Sequence, residues 1–241
     1  GGAGADVLSV NNTLTNEDES AEALIENYLF GGAGNDVINV DAVLSSVSGG
    51  NIINEVYGGN GNDVITMTAR VVEGTDVELA SNYAEGGAGD DTIFVSAYGD
   101  DDDYLLNEVY GGNGNDTIIA RTEGGYGESY IGGGNGDDVL QVIGGYYNEL
   151  YGDAGTDTLV GGTGIDIMTG GADADTFVFL TDGGNDVIRD FEVGVDTMAF
   201  WDGQTVDSLS TQGSDTLVTF GDGATVLLEG VIVTDQAQLF A

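Results

Sequence analysis

Aspartate recurs at a fixed place in a glycine-rich pattern, and this is the feature of the sequence best suited to chemistry. The clearest copy, Gly58–Ile65, reads G-G-x-G-x-D-x-U, where U is apolar. Further copies begin at residues 1, 31, 86, 111, 133, 152 and 161, and a weaker copy begins at residue 170. Glycine adopts backbone angles that other residues avoid, so a tight turn can point carbonyl oxygens inward beside the aspartate carboxylate. Ca²⁺ takes roughly six to eight oxygen ligands of these kinds, so each copy predicts a calcium-binding turn.

Two other interpretations apply to a single copy of the pattern. One is a plain glycine-rich turn that joins two strands, but nine copies with aspartate at the sixth position favour a metal site. The other is a dinucleotide-binding fingerprint, which fails because no copy opens a helix inside a βαβ unit. After the aspartate, x-U-x is typical of a strand that turns one apolar residue toward a core. Each unit therefore predicts a turn, a metal ligand and a strand, in that order.

The composition indicates which partners to expect. The 241 residues include 43 acidic and only three basic residues, which gives a net charge of −40, and there is no His, Pro or Cys. Because so many negative charges repel one another, cations are the first partners to expect. Nucleic acid and anionic membranes are poor partners for so acidic a surface. A hydrophobic content of 41% is too high for a disordered acidic tail. No apolar run approaches the ~20 residues of a membrane helix, so we expect no membrane insertion.

The distances between motif starts indicate how the units stack. Successive starts are separated by 30, 27, 28, 25, 22, 19, 9 and 9 residues, whereas one coil of a simple tandem roll takes two nine-residue units. We therefore expect the first seven motifs to stack on one side of a solenoid, with Gly161 on the other side and Gly170 back on the first. The opposite turns are expected to be longer acidic loops that shrink toward the C-terminus. Because Gly1 already begins a copy, we expect the chain to be part of a longer protein.

Strand alternation predicts which side chains face the core. Four residues before the motifs stand Asn27, Asn54, Asn82, Asn107, Ser129 and Asn148. Two residues before them stand Leu29, Val56, Ala84, Val109, Ile131 and Leu150. After the motifs, the inward positions are Leu8, Ile38, Ile65, Ile93, Ile118 and Leu140, and then Val10, Val40, Met67, Val95, Ala120 and Val142. Stacked coils would bury columns of aliphatic residues and a ladder of amides that hydrogen-bond from coil to coil.

The outward positions carry aromatic and acidic residues. They are Phe30, Tyr57, Tyr110 and Tyr151, with Tyr28, Glu55, Tyr83, Glu108, Tyr130 and Glu149 two residues earlier. Such a stripe on a flat sheet could bind a saccharide or another surface, or it could be ordinary cross-strand packing.

Acidic segments lie between the motifs. Residues 16–26 carry an N-cap residue, Asn16, followed by acidic residues, and they predict a short helix. Residues 99–103, GDDDD, lack the spacing of an EF-hand loop, so we interpret them as a solvated loop tip rather than an extra calcium site. Glu73, Asp76 and Glu123 receive the same interpretation.

The pattern changes after Gly170. Two alternating segments, 215–220 and 224–228, are joined by Gly221-Asp222-Gly223 and predict a hairpin. A solenoid needs a cap because its last coil exposes a core and an unpaired edge. We expect the roll to occupy residues 1–179, with long insertions on one side, and the cap to occupy residues 180–241.

The repeats and the segments ADTFVF, GGNDVIRDFEVGVDTMAF and DTLVTFGDGATVLLEGV resemble the RTX family and the C-terminal ends of its serralysin-type proteases and mannuronan epimerase R modules. The resemblance spans essentially the whole chain. It implies an all-β fold, a parallel β-roll or right-handed β-solenoid with calcium-binding turns and a C-terminal β cap. It also implies export by type I secretion machinery to the extracellular space or the cell surface, with an uncleaved C-terminal signal. Two features depart from the usual pattern of the family. The steps between motifs are longer than the tandem rhythm, and Asp173 replaces the fourth-position glycine of its copy.

By the same resemblance, aspartate carboxylates and main-chain carbonyls would bind about seven Ca²⁺ ions on the main side. In the motif copies from residue 1 to residue 116 the implied metal residues are Gly2, Gly4, Asp6, Gly32, Gly34, Asn35, Asp36, Gly59, Gly61, Asn62, Asp63, Gly87, Gly89, Asp90, Asp91, Gly112, Gly114, Asn115 and Asp116. In the later copies and the segment after them they are Gly134, Gly136, Asp137, Asp138, Asp153, Gly155, Asp157, Gly162, Gly164, Asp166, Gly171, Asp173, Asp175, Gly184 and Asp186.

The residue inventory argues against catalysis. Without His or Cys the chain lacks the commonest general base, all thiol nucleophiles and the usual zinc ligands, and the protease motif H-E-x-x-H is missing. A carboxylate pair for glycoside hydrolysis stays open, since acidic residues abound. We expect a non-catalytic module that folds on export when extracellular calcium fills its turns. Two alternatives remain, an adhesin or glycan-binding module that uses the tyrosine stripe and loops, and an accessory module of a secreted enzyme.

Overall fold

β-Strands form nearly all of the regular structure. The structure is a computed structural model, and it describes residues 1–16, 23–46, 49–72, 79–181, 183–201 and 203–240. The first ten strands are β1 (Val7–Asn16), β2 (Ala23–Ala33), β3 (Val37–Ser46), β4 (Gly50–Asn60), β5 (Val64–Val71), β6 (Leu79–Ala88), β7 (Thr92–Tyr98), β8 (Tyr104–Asn113), β9 (Thr117–Glu123) and β10 (Tyr126–Asn135). They are followed by β11 (Val139–Gly144), β12 (Tyr147–Ala154), β13 (Thr158–Val160), β14 (Ile165–Ala172), β15 (Thr176–Phe179), β16 (Asn185–Ile188), β17 (Thr197–Phe200), β18 (Val206–Gln212), β19 (Asp215–Phe220) and β20 (Thr225–Leu228), and a short 3₁₀ helix covers Gln236–Leu239.

The strands divide between two sheets. Sheet A has the order β18-β19-β20-β16-β14-β12-β10-β8-β6-β4-β2, and sheet B has the order β1-β3-β5-β7-β9-β11-β13-β15-β17. From β1 to β17, consecutive strands therefore alternate between the sheets, and each pairs in parallel with the strand one coil away, as β4 does with β6. Only β18, β19 and β20 pair in an antiparallel manner. This is the predicted parallel β-roll.

The motif turns connect the sheets as predicted. The turns that begin at residues 31, 58, 86, 111, 133, 152 and 170 each lead from a strand of sheet A to a strand of sheet B, and we call this edge the motif side. The turn that begins at Gly161 leads from β13 in sheet B to β14 in sheet A, on the edge that we call the opposite side. The stacking register that the spacing predicted is confirmed.

The core lies between the sheets and consists of the predicted aliphatic columns. Every residue of these columns is buried except Leu8 and Val10 of the outermost strand β1, which are partly buried. Burying one such side chain contributes ~1.5–3 kcal/mol, so the columns are a major source of stability.

The predicted asparagine ladder is also present. The side chain of Asn27 donates to Asn54 (2.8 Å), Asn54 donates to Asn82 (2.9 Å), and Asn82 donates to Asn107 (2.9 Å). The ladder stops at Ser129, whose hydroxyl instead lies 3.0 Å from that of Thr122. Amides in this column keep their polar atoms paired inside an apolar core, which makes their burial affordable in free energy.

The insertions lengthen strands more than loops, so the prediction of long opposite loops is wrong in part. β2 and β4 have 11 residues each, whereas β12 has 8, and the turn between β9 and β10 has only Gly124 and Gly125. The extra residues continue the strand alternation and bury a second cluster, which includes Leu44, Ile52 and Leu105. The roll is therefore wide at its first coils and tapers toward the C-terminus.

The helix predicted over residues 16–26 is wrong at both of its described ends. Asn16 ends β1, and residues 23–26 begin β2, where Ala23 and Ile25 are buried. Residues 17–22 lie outside the described part of the chain. Pairing of β2 with β4 along ten residues outweighs the local capping signal.

The C-terminal region closes the narrow end of the roll. β19 and β20 form the predicted hairpin, and Phe179, Phe200, Phe220 and Phe240 form a cluster of ring contacts between 5.2 and 6.5 Å. β16 and β17 still extend the sheets in parallel, so the boundary at residue 180 stays a prediction. In the described part of the chain, no helix has the length and apolar character needed to cross a membrane.

Candidate calcium sites along the motif turns

The motif turns use backbone angles that suit glycine. In the motifs that begin at residues 31, 58, 86, 111 and 133, the second and fourth residues all have φ between +111° and +131°. The only non-glycine residues with positive φ among those described are Asp153 (74°) and Asp173 (78°), which occupy these same positions in later motifs. Aspartate is one of the few residue types that tolerates this region, so the turn keeps its backbone shape where the sequence departs from glycine.

The sixth-position aspartates form a ladder along the motif side. In each turn the aspartate N–H donates to Oδ1 of the aspartate one coil further along, at 2.7–3.0 Å. The ladder joins Asp6, Asp36, Asp63, Asp91, Asp116, Asp138, Asp157, Asp175 and Asp196. One carboxylate oxygen of each aspartate from Asp36 onward is therefore committed to holding adjacent coils in register.

The second carboxylate oxygen has no such partner in six consecutive turns. Oδ2 is buried without a hydrogen-bond partner in Asp36, Asp63, Asp91, Asp116, Asp138 and Asp157. Buried polar atoms almost always have partners, and a buried carboxylate oxygen without one is costly. A cation at this position would satisfy it, so the turns fit a metal by an observation that is independent of the sequence motif.

The first glycine of each motif leaves room beside that oxygen. A Cβ built on Gly86 would lie 2.4 Å from Oδ2 of Asp91 and 2.7 Å from the carbonyl oxygen of Gly111. Corresponding contacts of 2.3–2.5 Å to the aspartate of the same turn occur at Gly31, Gly58, Gly111, Gly133, Gly152 and Gly170. The absence of a side chain therefore keeps the carboxylate and the neighbouring carbonyl together.

The carbonyl oxygens of the second and fourth residues lie at the gap between turns. A Cβ on Gly87 would be 2.2 Å from the carbonyl oxygen of Gly59, and one on Gly89 would be 2.5 Å from that of Gly61. The same close approach repeats along the row, from Gly32 over Gly2 and Gly34 over Gly4 to Gly134 over Gly112, Gly136 over Gly114, Gly155 over Gly136 and Gly171 over Asp153. The second- and fourth-position carbonyl oxygens therefore lie close to the corresponding residues of the next coil all along the row.

Burial and neighbouring charge perturb the aspartates. Burial raises the pKa of Asp91, Asp116 and Asp175 to about 7 and that of Asp138 and Asp157 to about 6, although a backbone N–H donated to each carboxylate acts in the other direction. The adjacent aspartate of the ladder adds a further increase. Carboxylates that resist ionisation in this way favour a bound counter-ion.

The fifth-position residues make a second ladder that runs the other way. Backbone N–H groups of Asn62, Asp90, Asn115, Asp137 and Thr156 donate to the side-chain oxygen of the residue one coil earlier, at 2.9–3.1 Å. The predicted residues Asn35, Asn62, Asp90, Asn115 and Asp137 are therefore brought together, with their side chains on the surface rather than in the gap. Oppositely directed ladders at consecutive residues fix each turn against both of its neighbours.

The opposite side has one aspartate pair of the same kind. Asp166 donates its N–H to Oδ1 of Asp186 (3.0 Å), and its own Oδ1 accepts from Nδ2 of Asn148 (2.7 Å). Oδ2 of Asp166 is buried without a hydrogen-bond partner, and burial raises the pKa of Asp166 to about 6 and of Asp186 to about 8.

The backbone around this pair also resembles that of the motif side. A Cβ on Gly184 would lie only 1.9 Å from the carbonyl oxygen of Gly164. Gly162 lies in the same turn as Gly164, two residues earlier. These predicted residues therefore form a second place where a cation could bind.

Two residues of the site are absent from the ligands predicted from the sequence, and only one of them has a sequence signal. Asp196 ends the ladder on the motif side, and its Oδ2 accepts from the N–H of Glu192 (2.7 Å). The signal was Gly194-x-Asp196-x-Met198, which keeps motif positions four, six and eight and loses the first two glycines. Asp190 accepts from the N–H groups of Gly170 (3.0 Å) and Gly171 (2.8 Å), and no part of the motif indicates this contact.

The acidic segments between motifs have mixed outcomes. Asp103 is buried at 1% exposure and accepts from the N–H of Asp100 (2.6 Å), so the end of the GDDDD segment is not a solvated tip. Glu123 lies at the end of β9 and pairs with Arg121 at 2.8 Å. Glu73 and Asp76 lie outside the described residues.

The donor set is suited to calcium rather than to softer metals. Within the described ranges no three Asp, Glu, His or Cys side chains converge to hold a metal. A cation between two turns would therefore take oxygens from two aspartates and from the main chain, which is a mixture that calcium accepts and zinc seldom does. The residues present fit calcium.

The family comparison agrees with this geometry. The family model of the RTX calcium-binding nonapeptide repeat (4 copies) matches residues 26–42, 48–66, 80–106, 107–122 and 151–188. No curated protein matches the chain. One similar solved structure is the extracellular lipase LipA from Serratia marcescens, with 21% identity and a TM-score of 0.29 over 83% of this chain. The chain spans only 40% of that lipase.

Five matched segments, a two-sheet parallel roll and a continuous row of aspartate turns lead to one assignment. The chain is a parallel β-roll that contains RTX calcium-binding nonapeptide repeats in the matched segments.

Proposed function

We propose that this chain is a calcium-dependent folding module of an exported protein. It stays largely unfolded where calcium is scarce and folds when calcium fills the motif side, which would suit passage through type I secretion machinery. The observation that carries the proposal is the row of six consecutive buried Oδ2 atoms without a hydrogen-bond partner.

The free-energy cost of burying these six atoms without partners is comparable to the free energy of unfolding of a typical domain. Each buried polar atom left unpaired costs ~1–3 kcal/mol, and more when it is charged. Six of them therefore cost about as much as the whole ~5–15 kcal/mol stability of a typical domain. A ligand held at about 100 times its dissociation constant adds ~2.7 kcal/mol per site, so several calcium ions could decide whether the roll folds.

Charge supports the same conclusion. The chain carries a net charge of −40, and about seven Ca²⁺ ions on the motif side would offset about 14 of those charges. The aspartates would bind the ions through Oδ2, and the carbonyl oxygens of the glycines and fifth-position residues would complete the shell. The bound ion supplies positive charge at the gap between coils, and the chain supplies the two ladders that fix the coils in register.

The biological setting is part of the proposal. Residues 1–179 would be the calcium roll, and residues 180–241 would be the cap and the secretion-signal region of a larger secreted or surface protein. We propose a non-catalytic role, since RTX repeats are in general structural modules. An adhesin and an accessory module of a secreted enzyme are the competing settings, and the sequence of the full-length protein distinguishes them.

A calcium titration of metal-free protein tests the proposal. We expect far-ultraviolet circular dichroism to report a cooperative transition from coil to β-structure, and calorimetry to report several ions bound over the same concentration range. Magnesium serves as the control ion, because it demands a smaller and more regular shell and should leave the chain unfolded. A metal-free chain that already has the full β-spectrum would overturn the proposed folding switch.

A further inference from the structure

Tyrosine and glutamate alternate in register across the outer face of sheet A. One row contains Tyr28, Glu55, Tyr83, Glu108, Tyr130 and Glu149, each paired with the next in a neighbouring strand. The adjacent row contains Phe30, Tyr57, Glu85, Tyr110, Gly132 and Tyr151. In these two rows Gly132 is the only residue without a side chain.

Most of this surface is cross-strand packing. Phe30 stacks on Tyr57 with ring centroids 4.9 Å apart, Tyr57 contacts Tyr83 at 5.6 Å, and Tyr83 contacts Tyr110 at 6.0 Å. Tyr57 also donates its hydroxyl to Glu55. Packing between rings therefore explains the stripe from β2 to β8. The row of ring contacts does not continue to β10, which carries Gly132 at the next position.

A groove of about 390 Å³ lies beside Gly132. Its lining includes Tyr104, Glu108, Tyr110, Tyr130, Glu149 and Tyr151. Gly132 is the register partner of Tyr110 on one side and Tyr151 on the other. Gly132 is buried, and the ring of Tyr110 lies 3.1 Å from the position that a Cβ would take, so this ring covers the glycine. The groove is bounded by this ring and by those of Tyr130 and Tyr151.

The groove combines neutral rings with negative carboxylates. Tyr110 donates its hydroxyl to Glu108 (2.8 Å), and Tyr151 and Tyr147 both donate to Glu149. Burial, followed by the bond to Glu108, raises the pKa of Tyr110 to about 12. Burial acts to raise the pKa of Glu149, but the hydrogen bonds from Tyr147 and Tyr151 and the positive charge of Arg189 lower the pKa overall. Phenol donors and ionised carboxylates create a site with negative potential.

The protein's own cations show what such surfaces bind. All three basic residues of the chain lie against tyrosine. The guanidinium carbon of Arg70 lies 4.3 Å from the ring centroid of Tyr98, and that of Arg121 lies 5.9 Å from the same ring. Nη1 of Arg189 lies 3.5 Å from the hydroxyl of Tyr151, at the edge of the groove. Two of the three guanidinium groups thus lie over the face of one tyrosine ring, and the third contacts a tyrosine hydroxyl.

We propose that the groove beside Gly132 binds an arginine side chain of a basic protein partner. The tyrosine rings contact the guanidinium, and Glu108 and Glu149 supply its counter-charge. The net charge of −40 steers a basic partner to this surface. The inference is independent of the proposed export role and requires only the folded roll.

Nuclear magnetic resonance of the calcium-loaded protein tests this proposal at a fixed calcium concentration. The probes are a blocked Gly-Arg-Gly peptide, its Gly-Gln-Gly counterpart and a neutral oligosaccharide. We expect only the arginine peptide to shift the ring signals of Tyr110, Tyr130 and Tyr151 in a saturable manner. Glu149→Gln should weaken this binding about fivefold or more, and Gly132→Leu should abolish it by displacing the ring of Tyr110, which lies against that position.

Glu55→Gln is the matched control, because Glu55 lies in the same row, accepts from a tyrosine hydroxyl and carries the same charge. Its affinity should stay within about twofold of the wild type. Equal weakening by both glutamate variants would mean diffuse attraction to an acidic surface and would overturn the site. An equal response to the glutamine peptide or the oligosaccharide would show that the groove does not select a cation. The absence of a saturable shift with any probe would contradict both the site and its proposed ligand.

Gly132→Leu could disturb the sheet, since a Cβ there lies 3.1 Å from the ring of Tyr110. Its circular dichroism spectrum is therefore compared with that of the wild type. If that variant does not fold, Glu149→Gln against Glu55→Gln decides the result.

Discussion

Asp91 donates its backbone N–H to Oδ1 of Asp116 at 2.7 Å, while Oδ2 of both residues is buried without a hydrogen-bond partner. One oxygen of each carboxylate therefore holds adjacent coils together through a hydrogen bond. The other oxygen has no hydrogen-bond partner in the protein and would be satisfied by a cation. The same division repeats along the motif side, and it links the stability of the fold to the supply of cations.

Replacing Asp91 by Asn should separate these two roles. The variant keeps an oxygen that can accept from Asp63 but loses the charge, so the calcium affinity of the adjoining sites should fall roughly 10- to 100-fold, the equivalent of ~1.5–3 kcal/mol. Isothermal titration calorimetry measures this change. Asp90→Asn is the control, because Asp90 is exposed and its side chain bonds Asn115 at the surface. Equal losses in both variants would argue against a special role for the sixth position.

Replacing Gly86 by Ala should damage the turn through a steric contact. The new Cβ would lie 2.4 Å from Oδ2 of Asp91, so the backbone must shift, and we expect a loss of ~1–3 kcal/mol in the calcium-loaded protein. Urea denaturation measures the loss. Gly2→Ala is the control, since no atom lies within 4 Å of its Cβ position, and it should stay within ~0.5 kcal/mol of the wild type. An unchanged free energy of unfolding for Gly86→Ala would show that the turn has room for a side chain at this position.

Metal-free protein should become less stable as pH rises. Burial raises the folded-state pKa of Asp91, Asp116 and Asp175 to about 7, above the ~3.9 of an unfolded aspartate. The folded state therefore holds protons that the unfolded state releases. This contribution to stability is complete below pH ~4 and is lost as pH rises through about 7.

In metal-free buffer, the fraction of the chain with the β-spectrum in circular dichroism should accordingly be higher at pH 5 than at pH 8. With calcium the order should reverse, because protons compete with the metal for the same carboxylates. A metal-free chain that is more stable at pH 8 would contradict the burial of these groups.

Replacing Asn82 by Ala should break the amide ladder. The change removes the donor to Oδ1 of Asn107 (2.9 Å) and to the carbonyl oxygen of Ser96 (3.0 Å), and both partners stay inside the roll. We expect a loss of ~1–3 kcal/mol in the calcium-loaded protein, measured by urea denaturation. Ser81→Ala changes the adjacent outward residue of the same strand and should have little effect. A neutral Asn82→Ala would mean that water replaces the amide.

The sequence allowed prediction of the roll because its signal is repeated. Glycine and aspartate at fixed spacing predicted the motif side, and alternation around the motifs predicted the columns that contain Ile65 and Asn82. Asp196 was missed because its copy of the motif lacks both leading glycines, and only the neighbouring coil makes its position evident. The helix over residues 16–26 failed because a local cap signal competed with cross-strand pairing, which a single segment does not reveal.

The widening of the first coils was missed for a related reason. Alternation continues beyond the motif at Leu44 and Ile52, but the intervening turns carry acidic residues that are typical of loops. Burial of the second cluster depends on several coils that lengthen together, and this is a property of the stack rather than of any one repeat.

The taper of the roll has a consequence for how its two edges can change. On the motif side, the turns that contain Asp36 to Asp175 have the same length and bond to both neighbours, so an added residue there would disrupt two ladders. On the opposite side, successive coils become shorter toward the C-terminus, so their turns are not in register. Among the described residues, Asp166 and Asp186 are the one stacked aspartate pair of this kind on that side. The molecule therefore has one edge of fixed pitch and one adjustable edge, and new segments could be grafted onto the adjustable edge without altering the row of turns.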